Sequence, residues 1–191
     1  MVATATKYLF SVEEFEQLYR TGVFAEDARR ELIEGEIYTM GAIGEGHASV
    51  VDELTFTVSR HIGPELRVAV QNPILLGGKT EPQPDLAVYR LREGEGLPRR
   101  KPTPAEILLI MEIADSSLLY DRNTKIPLYG RAGIPESWLF DVSNKRIMRY
   151  TEPSDDGYER MEEAISGQTL ASTVLPGLVI AVDAVLGRWP S

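Results

Sequence analysis

Residues 106–114 read Glu106-Ile107-Leu108-Leu109-Ile110-Met111-Glu112-Ile113-Ala114. The run Ile107 to Met111 is apolar without alternation, the pattern of a strand covered on both faces rather than one with a wet side. Glu112 follows directly. A bare charge in such a place is costly, so this carboxylate must be paired, protonated or bound to a metal.

Upstream, Gln83 to Arg90 reads as a second strand, with Leu86 and Val88 on one face and Asp85 and Ala87 on the other, Gln83 beside them. Leu66 to Leu76 is a further strand interrupted by Pro73, and Leu91 to Pro104, rich in Gly, Pro and Arg, is an exposed loop. Ser11 to Arg20 is a helix opened by a Ser11–Glu14 capping box. Glu31 to Met40 gives two short strands around Glu34-Gly35, and Gly41 to Gly46 a loop. His47 to Ile62 is the best helix, with Val51, Leu54, Val58 and Ile62 at steps of three and four and Gly63-Pro64 as its stop.

Downstream, a helix is expected from about Thr124 to Arg131, with Pro127 tolerated in its first turn and Gly133 ending it. Glu136 to Val142 and Lys145 to Thr151 are strands joined at Ser143-Asn144. Short strands follow, with turns at Asp155-Asp156-Gly157 and Pro176-Gly177 before a last segment, Leu178 to Val185. No repeat or linker divides the chain. The expectation is one domain over residues 1–191, of α/β or α+β class, with helices packed on a mixed sheet.

Composition narrows the function. The hydrophobic share of 43% and charged share of 26% are those of an ordinary globular chain. The absence of cysteine excludes disulfides and thiolate metal sites. No apolar run reaches the ~20 residues of a membrane helix, and Met1 to Lys7 lacks the apolar run of a signal peptide, so a cytoplasmic protein is expected. A net charge of −9 argues against a generic nucleic-acid coat. It leaves room for a site where carboxylates gather and a metal supplies the positive charge. Arg90, Arg92, Arg99, Arg100 and Lys101 cluster in sequence; a solvated loop is the favoured reading, contact with a DNA backbone the other.

Two strands that carry carboxylates to one sheet edge make a hard-oxygen site, suited to Mg²⁺ or Mn²⁺. Structural alternatives stand beside this: Asp85 after Pro84 as a turn or strand-end former, Glu112 as the partner of Arg131 or another base. Lys125 shares a helical face with Asp121 and Tyr129 if the helix reaches back that far. The plain alternative is a surface Asp121–Lys125 pair worth under ~1 kcal/mol. The two histidines, His47 and His61, form no zinc motif. His47 either lines the site or merely opens its helix. Gly41, Gly44 and Gly46 lack the context of a dinucleotide loop, and Ser116-Ser117 has no histidine placed as a base.

The ordered set Glu31-Leu32-Ile33-Glu34-Gly35-Glu36, His47, Pro84-Asp85-Leu86, Glu112-Ile113-Ala114-Asp115-Ser116, Asp121 with Lys125 and Tyr129, Arg131-Ala132-Gly133-Ile134, Trp138-Leu139-Phe140-Asp141 and Leu175-Pro176-Gly177-Leu178 closely resembles the putative restriction endonuclease family of the PD-(D/E)xK nuclease superfamily. The resemblance implies a restriction-endonuclease-like core, a mixed central sheet flanked by helices. It implies Asp85, Glu112 and the Ile113 backbone carbonyl as Mg²⁺ or Mn²⁺ ligands, and Glu31 as an auxiliary acid. The superfamily's lysine two residues after the glutamate is Ala114 here, and the subgroup resembled takes that lysine from a helix, which makes it Lys125. The activity implied is hydrolysis of DNA phosphodiester bonds. The alternative is a degenerate, non-catalytic module of the same fold, and a homodimer through the C-terminal strands is compatible with either. Asp85 and Glu112 are expected on neighbouring strands with carboxylates on one face.

Overall fold

The computed structural model describes residues 5–25, 28–41, 44–96 and 98–187. Parts of three expectations lie outside the described residues: the first four positions of the N-terminal stretch, 42–43 of the Gly41–Gly46 loop, and 97 of the Leu91–Pro104 loop. The elements run α1 (Val12–Arg20), β1 (Arg30–Ile33), β2 (Glu36–Thr39), α2 (Glu45–Ser59), β3 (Leu66–Val70), β4 (Leu86–Arg90), β5 (Ile107–Ala114), α3 (Leu118–Tyr120), α4 (Ile126–Arg131), β6 (Glu136–Asp141), β7 (Arg146–Ser154), β8 (Gly157–Ile165), β9 (Thr169–Ala171), β10 (Val179–Ala181) and α5 (Val182–Val185).

Six strands form the central sheet in the order β3-β4-β5-β6-β7-β8. The β5–β6 pair is parallel and the others antiparallel, so the sheet is mixed. Its one parallel junction is bridged by the helical stretch from α3 to α4, as a parallel pair requires a crossover. Strand β5 is apolar but for Glu112 because both faces are covered. Leu109, Met111 and Ile113 pack with Leu54 and Val58 of α2 on one side. Ile110 and Ala114 pack with Ile126 and Tyr129 of α4 on the other. The same alternation runs through β4, where Leu86 and Val88 join the α2 side and Ala87 and Tyr89 the α4 side.

Several boundaries differ from the sequence expectation, each for a local reason. Strand β4 starts at Leu86 rather than Gln83, because Pro82 and Pro84 have no N–H to give a ladder. Strand β3 stops at Val70, where Gln71 turns to φ 51° ahead of Pro73. The last segment divides into β10 and α5. The β7–β8 ladder runs on to Ser154 opposite Gly157, longer than the short strands expected there.

The largest difference lies ahead of Pro127. Helical structure begins at Leu118 and contains a π-turn over Asp121–Lys125. There the Ile126 N–H bonds to the Asp121 carbonyl, five residues back. Pro127 offers no N–H, and its ring would crowd a carbonyl four residues earlier in a regular α-helix. The widened turn relieves that crowding and keeps the chain helical. Helix α4 is held close to the β7–β8 hairpin, because a Cβ on Gly130 would collide with the Gly157 carbonyl. Among the described residues no helix is long and apolar enough to cross a membrane.

Candidate active site

Leu86 lies opposite Met111 in the antiparallel β4–β5 ladder, so the next positions along it are Asp85 and Glu112. The ladder is broken there by a side chain: the Ile113 N–H donates to Asp85 Oδ2 at 2.9 Å. The N–H and C=O of one strand residue leave the same side, so the Ile113 carbonyl also faces the edge that carries Asp85. Asp85 and Glu112 follow the alternation of Ala87 and Ile110, which places both carboxylates on the α4 side of the sheet.

Lys125 meets them on that side. Its Nζ stands 2.7 Å from Glu112 Oε1 and 3.0 Å from Glu31 Oε1, with the side chain only 2% exposed. The π-turn buries Asp121 and Lys125 together on the inward face. The surface-pair alternative for Lys125 therefore does not hold, and Arg131 pairs with Glu34 at 2.9 Å rather than with Glu112.

Each carboxylate is fixed by further donors. The Tyr129 hydroxyl donates to Glu112 Oε1 at 2.5 Å. Glu31, brought in by β1, accepts the Gln83 N–H at 2.7 Å and faces the Tyr120 hydroxyl at 3.4 Å. Asp85 accepts from Gln71 Nε2 at 3.2 Å and lies 3.0 Å from His47 Nε2, near the start of α2. Asp121 accepts the Ser117 hydroxyl at 2.5 Å. Ser117 thus serves a carboxylate rather than acting as a nucleophile. Sequence reasoning did not pick out Gln71 or Tyr120, and it placed Gln83 beside Asp85 without a role. Tyr129 was in view at helical spacing from Lys125, but without a role.

Four carboxylates, those of Glu31, Asp85, Glu112 and Asp121, thus surround one ammonium. Burial drives Glu112 well above the usual carboxylate range; Lys125 opposes this, while Asp121, Asp85 and Glu31 add to it. Asp121 is raised for the same reasons, burial first. Burial alone would lower Lys125, but Glu112, Glu31, Asp121 and Asp85 outweigh it and hold the ammonium well above its ordinary value. Asp85 is the exception. Burial pushes it up, but the His47 hydrogen bond and charge, Lys125 and the Ile113 N–H hold it below its ordinary value. The cluster therefore keeps Lys125 charged and Asp85 ionised.

A cavity of ~100 Å³ opens onto this cluster, with Asp85, Glu112, Ile113 and Lys125 in its wall. Among the described residues no three His, Asp or Glu side chains are grouped to hold a metal ion by themselves. The donor set still fits a small hard cation. Mg²⁺ commonly takes one or two carboxylates and keeps its remaining positions for waters and substrate oxygens. Asp85, Glu112 and the Ile113 carbonyl offer two carboxylates and a neutral oxygen beside an open space.

The fold is shared with the crystal structure of a putative nuclease belonging to DUF820 from Anabaena variabilis ATCC 29413, with a TM-score of 0.73 and 16% identity over 93% of this chain and 98% of that one. No curated protein matches the sequence. The family model described as "Putative restriction endonuclease", Uma2, matches residues 12–183, from the start of α1 into α5 and across every residue of the cluster. The chain belongs to the Uma2 putative restriction endonuclease family.

Proposed function

We propose that the chain is a Mg²⁺- or Mn²⁺-dependent endonuclease that hydrolyses DNA phosphodiester bonds, working as one domain over residues 1–191. The observation that carries this reading is the buried Lys125 ammonium between Glu31 and Glu112, beside Asp85 and an open cavity. A divalent cation held by Asp85, Glu112 and the Ile113 carbonyl would act as a Lewis acid on a phosphoryl oxygen and acidify a water. The protein's own groups do the rest. Gln71, His47 and the Ile113 N–H fix the Asp85 carboxylate in one orientation. Tyr129 fixes Glu112 in the same way. Lys125 takes the part of the lysine absent at Ala114: a preorganised ammonium beside Glu112 orients the attacking water and offsets charge that grows on the phosphate. Glu31 serves as a positioning residue that holds Lys125 in place.

A second reading, a nuclease fold kept for binding without turnover, is favoured by one observation. Lys125 already neutralises Glu112, and no three side-chain ligands are grouped among the described residues. Calorimetric titration separates the two. The enzyme should take up Mg²⁺ or Mn²⁺ at one site that is lost in Asp85→Ala, whereas absence of metal uptake by the parent chain would leave only the binding module.

A further inference from the structure

Two further hollows continue from the carboxylate cavity. The first, of ~490 Å³, shares Arg29 and Gln83 with that cavity and runs along α1 past Tyr19, Arg30 and Lys101. The second, of ~650 Å³, shares Glu16, Pro73 and Lys101 with the first and is walled by Arg92, Arg99 and Arg100. Together they make one groove that leads away from Asp85 and Glu112.

The groove's charge is opposite to that of the molecule. The chain carries 29 acidic against 20 basic side chains, yet seven basic and two acidic side chains line these hollows. Some of that charge is already matched. Lys101 pairs with Glu16 and Glu81 at 2.6 Å each. Arg20 pairs with Glu16, Arg92 with Glu106, and Arg100 with Glu95 and Glu106. Among the described residues Arg29, Arg30 and Arg99 have no carboxylate partner, and they mark the near, middle and far parts of the groove.

The first hollow is also equipped for a flat, polar ring. Tyr19 is 37% exposed in its wall and is held edge-on by Phe15 and Phe24, at 5.3 and 5.1 Å between ring centroids. An exposed aromatic face beside a basic lining suits the face of a nucleobase. Paired bases in a duplex are stacked inside it and show their edges only in the grooves. An unpaired base can be splayed into a hollow.

We propose that this groove binds a single, unpaired strand of nucleic acid leaving the carboxylate site, with a base on Tyr19 and phosphates on Arg29 and Arg99. The proposal rests on the nuclease reading and specifies its substrate: DNA with an unpaired segment next to the scissile bond, rather than continuous duplex.

The test is fluorescence anisotropy of the full chain in EDTA, with a labelled single-stranded oligonucleotide and the duplex of the same sequence. The single strand should bind at least about tenfold more tightly. Tyr19→Ala should weaken it by about 5- to 150-fold, the loss expected for one stacked base, while Tyr19→Phe keeps parental binding. Arg99→Gln, which alters no packed ring, should flatten the dependence of log affinity on log salt by ~0.7. Duplex binding equal to single-strand binding overturns the proposal. So does parental binding by both Tyr19→Ala and Arg99→Gln. Plasmid cleavage by a parent that binds no single strand would sink the groove and leave the nuclease reading standing. Single-strand binding by a parent that cuts nothing in Mg²⁺ or Mn²⁺ would do the reverse.

Discussion

Replacing Lys125 by methionine tests the cluster most sharply, because it removes the charge and nearly keeps the volume. In the parent, the ammonium lies within 3.0 Å of Glu31 and Glu112, and Asp85 and Asp121 also act on it. Without it, four buried carboxylates face one another. Breaking a buried pair by removing one partner typically costs ~3–5 kcal/mol. For a chain of 150–250 residues each kcal/mol is worth about 2–4 °C, so the melting temperature should fall by about 6–20 °C at neutral pH. The loss should be partly reversed by divalent metal, since ligand at a hundredfold its Kd adds ~2.7 kcal/mol. Differential scanning calorimetry with and without Mg²⁺ reads both effects. Cleavage by the variant should fall by ~10²–10³, the usual worth of one such donor. A variant that melts within 2 °C of the parent, by the same conversion under about 1 kcal/mol, would refute the view that Lys125 holds the carboxylates together. Parental cleavage would remove it from the chemistry.

Tyr129→Phe should cost ~1.5–3 kcal/mol in urea unfolding, because a buried carboxylate loses a donor, and should slow cleavage without abolishing it. Gly130→Ala should destabilise by ~1–3 kcal/mol, since its methyl group meets the Gly157 backbone, and should lower cleavage by moving the helix that carries Lys125; unchanged stability would show that α4 and the hairpin can part freely. Glu106 is held at about 2: burial pushes it up, but the Thr103 N–H and hydroxyl, Arg92 and Arg100 outweigh that. A depressed acid contributes stability above its unfolded value near 4.5, and the contribution disappears as pH falls toward 2. Glu106→Gln should therefore cost ~1–3 kcal/mol at pH 7 and almost nothing near pH 2, as read by urea unfolding at the two pH values.

The sheet could be read from the sequence wherever burial alone decides. Residues 107–111 are apolar because two layers cover them, and the alternation read in β4 separates Leu86 and Val88 from Ala87 as the structure does. Reading failed where backbone chemistry overrides pattern. Pro127 falls in the first turn of α4 as expected, but nothing in the sequence announces the π-turn ahead of it. Lys125 is buried with Asp121 and Tyr129, the residues that its spacing of four had set on one face with it. Gln71 and Tyr120 bond to carboxylates remote from them in sequence, so nothing local announced them. Ala114 packs into the α4-side core, and the Lys125 ammonium occupies the space beside Glu112.

The most direct measurement is nicking by the full chain, in Mg²⁺ and in Mn²⁺, of negatively supercoiled plasmid, in which supercoiling opens unpaired segments, with Asp85→Ala prepared in parallel. The account predicts open-circular product from the parent with either metal, none in EDTA, and none from Asp85→Ala under any condition. Equal nicking by parent and variant, or no nicking by the parent with either metal, would contradict it.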